Sequence, residues 1–527
     1  MNENLRLIPK AAETIFKGGI TLLKIISLRG ASCFQRDFFA SLGGACGFTA
    51  SEEEGTPVTY SCGYGEIPPE GYMLELKGDC AEIRASDYGG LFYGFVTLAQ
   101  LIHNYGGEVP SVTVRDRPSL NYRGLMLDVA RYFFDKEDIF RFADFCALHK
   151  LNVIHLHLTD DQGWRMPVKK YPLLTEKGGF RSHTNFGVRP HGGYYTEEDL
   201  KEIIAYANAR NIEVIPEIDM PGHMQAAIAS YPYLGCFGRK LEVATHTGVK
   251  HDVLCAGKES TYRFIFDVLD EVMEIFGGNT KYIHIGGDEV VTHRWKHCPD
   301  CRKRAEKECI GSVENLQSYF ISRVADYVES KGFIPVMWNE SEVSGRAPRS
   351  AVWQYWTDDS GEKEREILMA ACASRGVINS SSKHCYMDLP YAYINIEKAY
   401  SFVPRPAEVP ASKFVGAEMA LWTEYVPDFR TACRRLLPRS AALAEVMWNS
   451  AEKDFGSFKS RLNYTLGFMR AIGFEGASQK CASPGKTRAL FQKLWFERRQ
   501  LHWQGLTNLY NDIKISLRYG KNYENKR

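Results

Sequence analysis

Two adjacent carboxylic acids, Asp288 and Glu289, stand directly after two glycines in the stretch KYIHIGGDEV, residues 281–290. Glycine tolerates a tight turn at the end of a strand, so both acids can point into one cleft. Adjacent carboxylates repel, and we expect the more desolvated one to stay protonated as a general acid while the other remains ionised. This division suits cleavage of a glycosidic bond. A helix N-terminus, where acidic residues are common, is the alternative interpretation.

The elements around this acidic pair alternate between strand and helix from Tyr122 onward. Amphipathic stretches separate eight short apolar stretches of strand character, which are residues 124–127, 153–158, 213–217, 282–286, 334–338, 351–355, 376–379 and 415–421. This order predicts an α/β fold, a (β/α)8 TIM barrel over residues 119–452, whose reactive groups lie at the C-terminal ends of the strands. A doubly wound open sheet is the alternative, because it also binds ligands at that end.

The segments on either side of the barrel have different patterns. Residues 1–118 alternate like paired strands around the turn at Lys77-Gly78-Asp79 and continue as a helix after Gly90, which predicts a small α+β domain. Residues 453–527 carry helical patterns rich in aromatic and basic residues, and we predict a helical C-terminal extension without an assigned role.

The balance of charges excludes several classes of partner. The formal net charge is +1 in 527 residues, so neither a nucleic acid nor an anionic membrane is an expected partner. The N-terminal stretch lacks a basic segment followed by an uninterrupted apolar run, and no stretch is long enough to span a membrane. We therefore expect a cytoplasmic protein with mostly reduced cysteines. The oligomeric state is left open, and a homodimer is compatible with the sequence.

Three tryptophans come at the ends of three different predicted strands. Trp338, Trp356 and Trp422 would converge at one end of a barrel, where indole planes can stack on the apolar faces of a sugar ring. For any single one of them a place in the core is the favoured interpretation, but their shared position at three strand ends favours a sugar site.

His155 and His157 form an H-x-H pair that suggests a second function class. Such a pair at a barrel strand end can bind zinc or another divalent cation, as in a metal-dependent TIM-barrel hydrolase. The other expected ligands are hard to find at later strand ends. Histidines satisfied by carboxylates inside the barrel are therefore the favoured interpretation, and we expect no catalytic metal.

A C-x-x-C motif, Cys298 and Cys301, lies close after the acidic pair. With Cys309 and either His293 or His297 it could form a structural zinc site. A loop with free thiols is the favoured interpretation, because a second cysteine pair at the usual spacing is missing.

Eight motifs, taken in order, resemble glycoside hydrolase family 20, the β-N-acetylhexosaminidases. They are YRGLMLDVARYFF from Tyr122, HLHLTDDQGWR, PEIDMPGH, HIGGDEV, MWNE, the step Gln354-Tyr355-Trp356, YMD from Tyr386 and ALWTEYV from Ala420. LRLIPK and residues 71–101 also look like the small domain that precedes the barrel in that family. Two positions depart from the expected pattern, because Thr423 replaces a glycine and Tyr132 a histidine. We expect these changes to alter contacts at the rim of the site.

The resemblance implies a mechanism in which the 2-acetamido group of the substrate is the nucleophile, without a cofactor. It makes Glu289 the general acid/base, and Asp288 the group that orients the acetamido N–H and stabilises an oxazolinium intermediate. Tyr386 would donate to the acetamido carbonyl. The other implied substrate-binding residues are Arg123, Asp160, His223, Trp338, Trp356, Asp388, Trp422 and Glu424. Asp160 and His223 would position the acid/base.

The expected activity is exo-acting, retaining hydrolysis of terminal GlcNAc or GalNAc. A sugar-binding protein without catalysis is a third class, which the presence of both acids disfavours. The choice between the two epimers and the natural leaving group are left open.

Overall fold

The computed structural model describes residues 4–185, 187–342, 347–357, 362–450, 453–500 and 512–515, except the side chains of residues 362, 363, 499 and 500. Its N-terminal part is a mixed seven-stranded sheet with strand order β1-β7-β5-β6-β4-β2-β3. The strands are β1 (Glu13–Leu22), β2 (Ile25–Arg29), β3 (Thr49–Ser51), β4 (Thr56–Cys62), β5 (Tyr72–Lys77), β6 (Cys80–Ala85) and β7 (Glu108–Asp116). The helices are α1 (Phe34–Ser41), α2 (Gly43–Cys46) and α3 (Tyr88–Tyr105).

The long apolar helix α3 packs against this sheet and forms most of the core of the N-terminal part. Asp87 caps its start by accepting a hydrogen bond from the Gly90 backbone, and Gly106 ends it in the left-handed conformation. A Cβ on Gly90 would lie 2.1 Å from the Gly71 carbonyl oxygen, so glycine is required for this close approach. The predicted α+β character of this segment is confirmed.

Eight parallel strands close into a barrel in the order β14-β15-β16-β17-β18-β19-β8-β9, which confirms the predicted TIM barrel. Two short antiparallel hairpins, β10-β11 and β12-β13, follow its second strand. The strands are β8 (Tyr122–Asp128), β9 (Val153–His157), β10 (Thr159–Asp160), β11 (Gly163–Trp164), β12 (Phe180–Arg181), β13 (His191–Gly192), β14 (Glu213–Glu217), β15 (Tyr282–His284), β16 (Ile334–Trp338), β17 (Val352–Tyr355), β18 (Gly376–Asn379) and β19 (Phe414–Leu421).

The helices of this part surround the barrel or lie in its loops. They are α4 (Lys136–Leu148), α5 (Leu173–Glu176), α6 (Glu197–Asn208), α7 (Gln225–Ser230), α8 (Glu259–Phe276), α9 (His293–His297), α10 (Pro299–Lys307), α11 (Leu316–Ser330), α12 (Glu362–Ala371), α13 (Ser382–Cys385), α14 (Ile396–Tyr400), α15 (Phe429–Leu436) and α16 (Arg439–Trp448). Short 3-10 helices cover Pro232–Leu234, Asn339–Ser341 and Ala411–Lys413. The apolar face of α8, including Phe264, Val268 and Val272, is buried against the protein.

The register of the strands brings polar residues to one level inside the barrel. Asp128 pairs with His157, His157 with Glu217, and Glu217 with His284 across three neighbouring strand pairs. These residues stand at the C-terminal ends of their strands. The loops that follow them carry the candidate site.

The C-terminal part is helical in the residues described, with α17 (Phe455–Ala471), α18 (Gln479–Ala482) and α19 (Lys486–Gln500). Of the predicted extension, residues 501–511 and 516–527 lie outside the described residues. Arg461 of α17 forms a buried ion pair with Glu445 at 2.7 Å and also donates to the Leu7 carbonyl. This contact joins the first residues of the chain to the barrel. In the ranges that the structure describes, no helix is long and apolar enough to cross a membrane.

Candidate active site

The turn that presents the acidic pair depends on the two glycines before it. Gly286 and Gly287 have φ of +66° and +107°, in the range that glycine adopts readily. A Cβ on Gly286 would lie 1.8 Å from Asp219 Oδ1, and a Cβ on Gly287 would lie 1.9 Å from the Ser341 hydroxyl oxygen. Any other residue would clash. The glycines predicted to turn the chain here therefore also allow it to pass between β14 and β16.

Asp288 and Glu289 differ in exposure, although they are neighbours in the chain. The Asp288 side chain is 10% exposed and the Glu289 side chain 39% exposed, so Asp288 lies deeper and Glu289 at the mouth. His223 Nε2 lies 3.5 Å from Glu289 Oε2 and 3.8 Å from Asp288 Oδ2. Both carboxylates thus face the same imidazole at the C-terminal end of the barrel.

His223 is held from behind by a chain of charged groups. Its Nδ1 lies 3.3 Å from Asp160 Oδ1, and Asp160 Oδ2 lies 2.7 Å from an Arg131 guanidinium nitrogen. Burial alone would lower the pKa of His223, but the charges of Asp160 and Asp219 outweigh it and raise that pKa well above its usual range. The ring is therefore an imidazolium that can donate to Glu289. The predicted pair of Asp160 and His223 is brought together next to Glu289.

The pKa values of the two acids move in opposite directions in the unliganded site. Burial, together with repulsion by Asp219, raises the pKa of Asp288 well above its usual range. Burial would also raise the pKa of Glu289, but the hydrogen bond and charge of His223 prevail and lower it. In the unliganded site Asp288 is therefore the harder of the two acids to ionise. The acid/base that the resemblance implies is the other one, so desolvation alone does not identify it here. A sugar that covers Glu289 would desolvate it and raise its pKa.

These shifts predict how activity depends on pH. We expect kcat/KM to fall as the pH drops through the raised pKa of Asp288, because a neutral Asp288 cannot stabilise positive charge on the substrate. Burial is the main cause of this raised pKa, and Asp219→Asn removes a charge that adds to it. The asparagine keeps an acceptor for the Gly287 N–H, which now binds Asp219 Oδ1 at 3.1 Å. The acidic limb of the kcat/KM profile should therefore move to lower pH. The matched control Asp326→Asn, on the exposed side of α11, should leave the limb in place. An unmoved limb in Asp219→Asn would contradict this coupling.

Four aromatic side chains form a cup beside the acids. Tyr386 stacks on Trp356 with ring centroids 6.0 Å apart and an interplanar angle of 13°. Trp422 lies 6.2 Å from Tyr386 and 5.9 Å from Trp338, and its indole N–H donates to the Tyr386 hydroxyl. Trp338 is fully buried and donates to Glu217 Oε1 at 2.7 Å, so it forms the floor. The three predicted strand-end tryptophans do converge, and they do so around Tyr386.

Polar atoms without partners face this region. Asp288 Oδ1, Asp388 Oδ1 and Trp356 Nε1 are buried and find no hydrogen-bond partner among the residues that the structure describes. Burial and the neighbouring Glu424 raise the pKa of Asp388 to about 7. Buried polar groups are usually satisfied, so these atoms mark a place where a polar ligand would complete the bonding.

The prediction that Arg123 contacts the substrate is wrong. It lies at the N-terminal end of β8 with no exposed surface, where its guanidinium donates to Glu70 at 2.9 Å and to the Leu120 carbonyl at 2.6 Å. A strand rises 3.3 Å per residue, so about 17 Å of strand separates it from Asp128 at the active end. The arginine beside Glu424 is instead Arg131, 4.0 Å from its carboxylate and over the Trp422 ring. The position of Arg131 directly after the first barrel strand could have identified it from the sequence.

Replacing each arginine by methionine should separate the two roles. Arg123→Met leaves the Glu70 carboxylate without its buried cation, and we expect the free energy of unfolding to fall by about 3 to 5 kcal/mol with KM unchanged. Arg131→Met should instead raise KM and lower kcat/KM. Denaturant unfolding and steady-state kinetics of both variants measure this difference. A raised KM for a folded Arg123→Met variant would restore the original assignment.

The two histidines of the H-x-H pair contact carboxylates inside the barrel. His157 donates to Glu217 through Nδ1 and lies 3.0 Å from Asp160 Oδ2 through Nε2, while the two nitrogens of His155 lie 3.0 and 3.2 Å from Glu418 and Glu217. Although burial opposes it, these carboxylates raise the pKa of His155 to about 9. A metal ligand must be a neutral imidazole, so this environment disfavours the metal-dependent hydrolase.

The C-x-x-C motif has other neighbours than predicted. Cys309 is exposed and stands apart, whereas Cys236 and Cys255 lie beside Cys298 and Cys301. The two additional cysteines come from the loop after β14, and only the folded chain brings them to the motif.

A TIM barrel with two carboxylates beside an aromatic cup at the C-terminal ends of its strands defines a glycoside hydrolase. The family model "Glycosyl hydrolase family 20, catalytic domain" matches residues 120–451, and "Glycosyl hydrolase family 20, domain 2" matches residues 13–117. The chain belongs to glycosyl hydrolase family 20.

Individual relatives agree with this membership. A beta-hexosaminidase of Porphyromonas gingivalis is 40% identical over 422 residues, which cover 75% of this chain and 53% of that protein. The chain thus spans about half the length of this relative. A beta-N-acetylhexosaminidase of Cellulomonas fimi is 33% identical over 454 residues, covering 82% and 86%. The solved structure of the GH20 beta-N-acetylhexosaminidase of Streptomyces coelicolor superimposes with a TM-score of 0.78 at 30% identity, covering 90% and 97%.

Proposed function

We propose that this protein is an exo-acting, retaining β-N-acetylhexosaminidase that releases terminal β-linked GlcNAc or GalNAc. The observation that carries the proposal is the shared placement of Asp288, deep in the site, and Glu289, at its mouth, around His223 and beside the aromatic cup. The family membership and the names of the relatives support the same activity. A solved Vibrio harveyi GH20 exo-β-N-acetylglucosaminidase, 25% identical, has N-acetylglucosamine bound.

In the first step the acetamido carbonyl oxygen of the substrate attacks C1 of the same sugar. The new C1–O bond forms as the glycosidic C–O bond breaks, and protonated Glu289 gives its proton to the leaving oxygen. Asp288 accepts a hydrogen bond from the acetamido N–H and stabilises the positive charge of the oxazolinium ring. Holding the nucleophile within the substrate contributes an effective molarity equivalent to about 7 to 11 kcal/mol in favourable cases.

In the second step a water molecule attacks C1 from the side that the leaving group vacated. Glu289, now ionised, takes a proton from this water, and the bond between C1 and the acetamido oxygen breaks. Two inversions at C1 give net retention, and the acetamido group is restored. His223, fixed by Asp160, donates to the ionised form of Glu289 and so favours the state that this step requires.

The cup supplies the shape that the internal nucleophile needs. Trp338 at the floor and Trp356 and Trp422 at the sides would surround the acetyl methyl, and the Tyr386 hydroxyl would donate to the carbonyl. Asp388, Glu424 and Arg131 would hold the outer hydroxyls. Glu289 also lines a cleft of about 780 Å³ with Glu340, Trp353 and Thr357, and this cleft would receive the leaving group.

A pair of aryl glycosides tests the proposal. The purified protein should hydrolyse an aryl 2-acetamido-β-glycoside shortly after mixing with EDTA, with the β-anomer as the first product by NMR. The matched glucoside with a plain 2-hydroxyl should be cleaved far more slowly, because it lacks the nucleophile. Comparable rates on the two substrates would contradict the proposal, and loss of all activity in EDTA would favour the metal-dependent class.

A further inference from the structure

Four cysteines from three segments meet beside the loops that carry the active site. Cys236 follows the 3-10 helix Pro232–Leu234, Cys255 precedes α8, Cys298 caps the start of α10, and Cys301 lies in its first turn. Their sulfur atoms all lie within 4.8 Å of one another. Three of the four are buried, and Cys236 is half-buried. The family's reaction uses none of them.

The distances between the sulfurs distinguish a disulfide, a bound zinc ion and simple packing of thiols. Cys255 Sγ lies 3.8 Å from Cys298 Sγ and 3.6 Å from Cys301 Sγ, and Cys236 Sγ lies 3.8 Å from Cys301 Sγ. A disulfide would require about 2.05 Å. A tetrahedral zinc ion with Zn–S bonds of about 2.3 Å has sulfurs about 3.8 Å apart. Apolar packing of thiols explains contact but not four sulfurs that are all mutually close.

We propose that Cys236, Cys255, Cys298 and Cys301 bind one zinc ion in a closed tetrahedral site. Four soft thiolate ligands are the donor set of structural zinc sites, and a site filled by four protein ligands leaves no position for a substrate or water. The ion is therefore structural. It holds the loop after β14, which contains His223, against the helices that follow Glu289.

The surroundings of the cluster fit a metal-bound knuckle. Pro299 begins α10, so Cys298 lies at the N-cap position of a helix, where a thiolate is favoured. A Cβ on Gly257 would lie 2.2 Å from the Asp300 carbonyl carbon and 2.4 Å from the Cys301 nitrogen. Glycine at position 257 is thus what lets the Cys255 segment reach the C-x-x-C turn.

Two basic side chains connect the segments that carry the four cysteines. Lys258 donates to the carbonyl of Gly235, the neighbour of Cys236, at 2.7 Å. Arg304 of α10 donates to the Gly257 carbonyl at 3.2 Å. Both cations tie the three segments together at the edge of the cluster.

Metal analysis of the whole 527-residue chain tests the site directly. Protein produced in zinc-supplemented medium should contain one zinc ion per chain by inductively coupled plasma mass spectrometry. A mercurial thiol reagent should release this ion to a chelating dye. Protein loaded with Co²⁺ should show sulfur-to-cobalt charge-transfer bands and the visible bands of a tetrahedral thiolate site. Zinc-free protein that also takes up no Co²⁺ after reduction would overturn the proposal, as would disulfides among these cysteines or iron in place of zinc.

Serine variants locate the ion. Cys255→Ser and Cys301→Ser should each lose most of the zinc and melt at lower temperature, whereas Cys433→Ser, a buried cysteine of α15 outside the cluster, should keep one ion per chain. Full zinc content in both cluster variants would place the ion elsewhere. If these variants do not fold, the cobalt spectrum of the unaltered protein still decides the question. Neither readout depends on hydrolysis, so failure here is distinct from failure of the proposed activity.

Discussion

Glu289→Gln should lower kcat/KM on a natural disaccharide by about 10²- to 10⁴-fold, the usual contribution of a positioned proton donor. Glutamine keeps the shape of the side chain and a hydrogen-bond partner for His223, but it has no proton to give to the leaving oxygen. A substrate with a very good leaving group needs little protonation. The loss in the first step should therefore shrink as the pKa of the leaving group falls, which a series of aryl glycosides measures.

Glu198→Gln is a suitable control for this experiment, because Glu198 is exposed on α6 and contributes nothing to the cup. It should match the unaltered protein on every substrate. A Glu289→Gln protein that still cleaves the disaccharide at full rate would show that the proton comes from another group. In that case Asp288, whose pKa is raised by burial and by Asp219, would be the first candidate.

Asp288→Asn should lower kcat by about 10²- to 10³-fold while leaving KM close to its original value. The amide can still contact the acetamido group, so the ground state keeps its binding. It carries no negative charge, however, and cannot stabilise the oxazolinium ion. An interaction made only in the transition state appears in kcat and not in KM.

The comparison with the 2-hydroxyl glucoside sharpens this second experiment. Because Asp288 acts on the acetamido group, its replacement should narrow the difference in rate between acetamido and hydroxyl substrates. The Asp326→Asn protein should preserve that difference. A variant that shows only a raised KM would mean that Asp288 binds substrate without directing the internal nucleophile.

Much of the barrel could be predicted because its signal is local. The bounds of β14, β16 and β18 coincide with the predicted strands, since short apolar runs bounded by turns are hard to interpret otherwise between amphipathic helices. The position of the acids, tryptophans and His223 followed from one rule about strand ends. Their convergence could therefore be predicted without any distance between them.

The errors concern properties that spacing along the chain does not specify. Arg123 belongs to the same motif as Arg131, but a motif does not say at which end of a strand a side chain stands. The opposite pKa shifts of Asp288 and Glu289 depend on Asp219 and His223, which approach from another loop. The partners of Cys298 and Cys301 likewise come from distant segments without a recognisable spacing.

The backbone conformation of Glu289 lowers the stability of the protein. Its φ of +48° lies in the left-handed region, which costs a residue with a side chain about 1 to 2 kcal/mol. Glycine at this position should give an inactive protein that melts at a higher temperature than the alanine variant. The protein is thus less heat-resistant than it could be because of the conformation of its proton donor. A selection for thermostable variants would therefore enrich inactive ones.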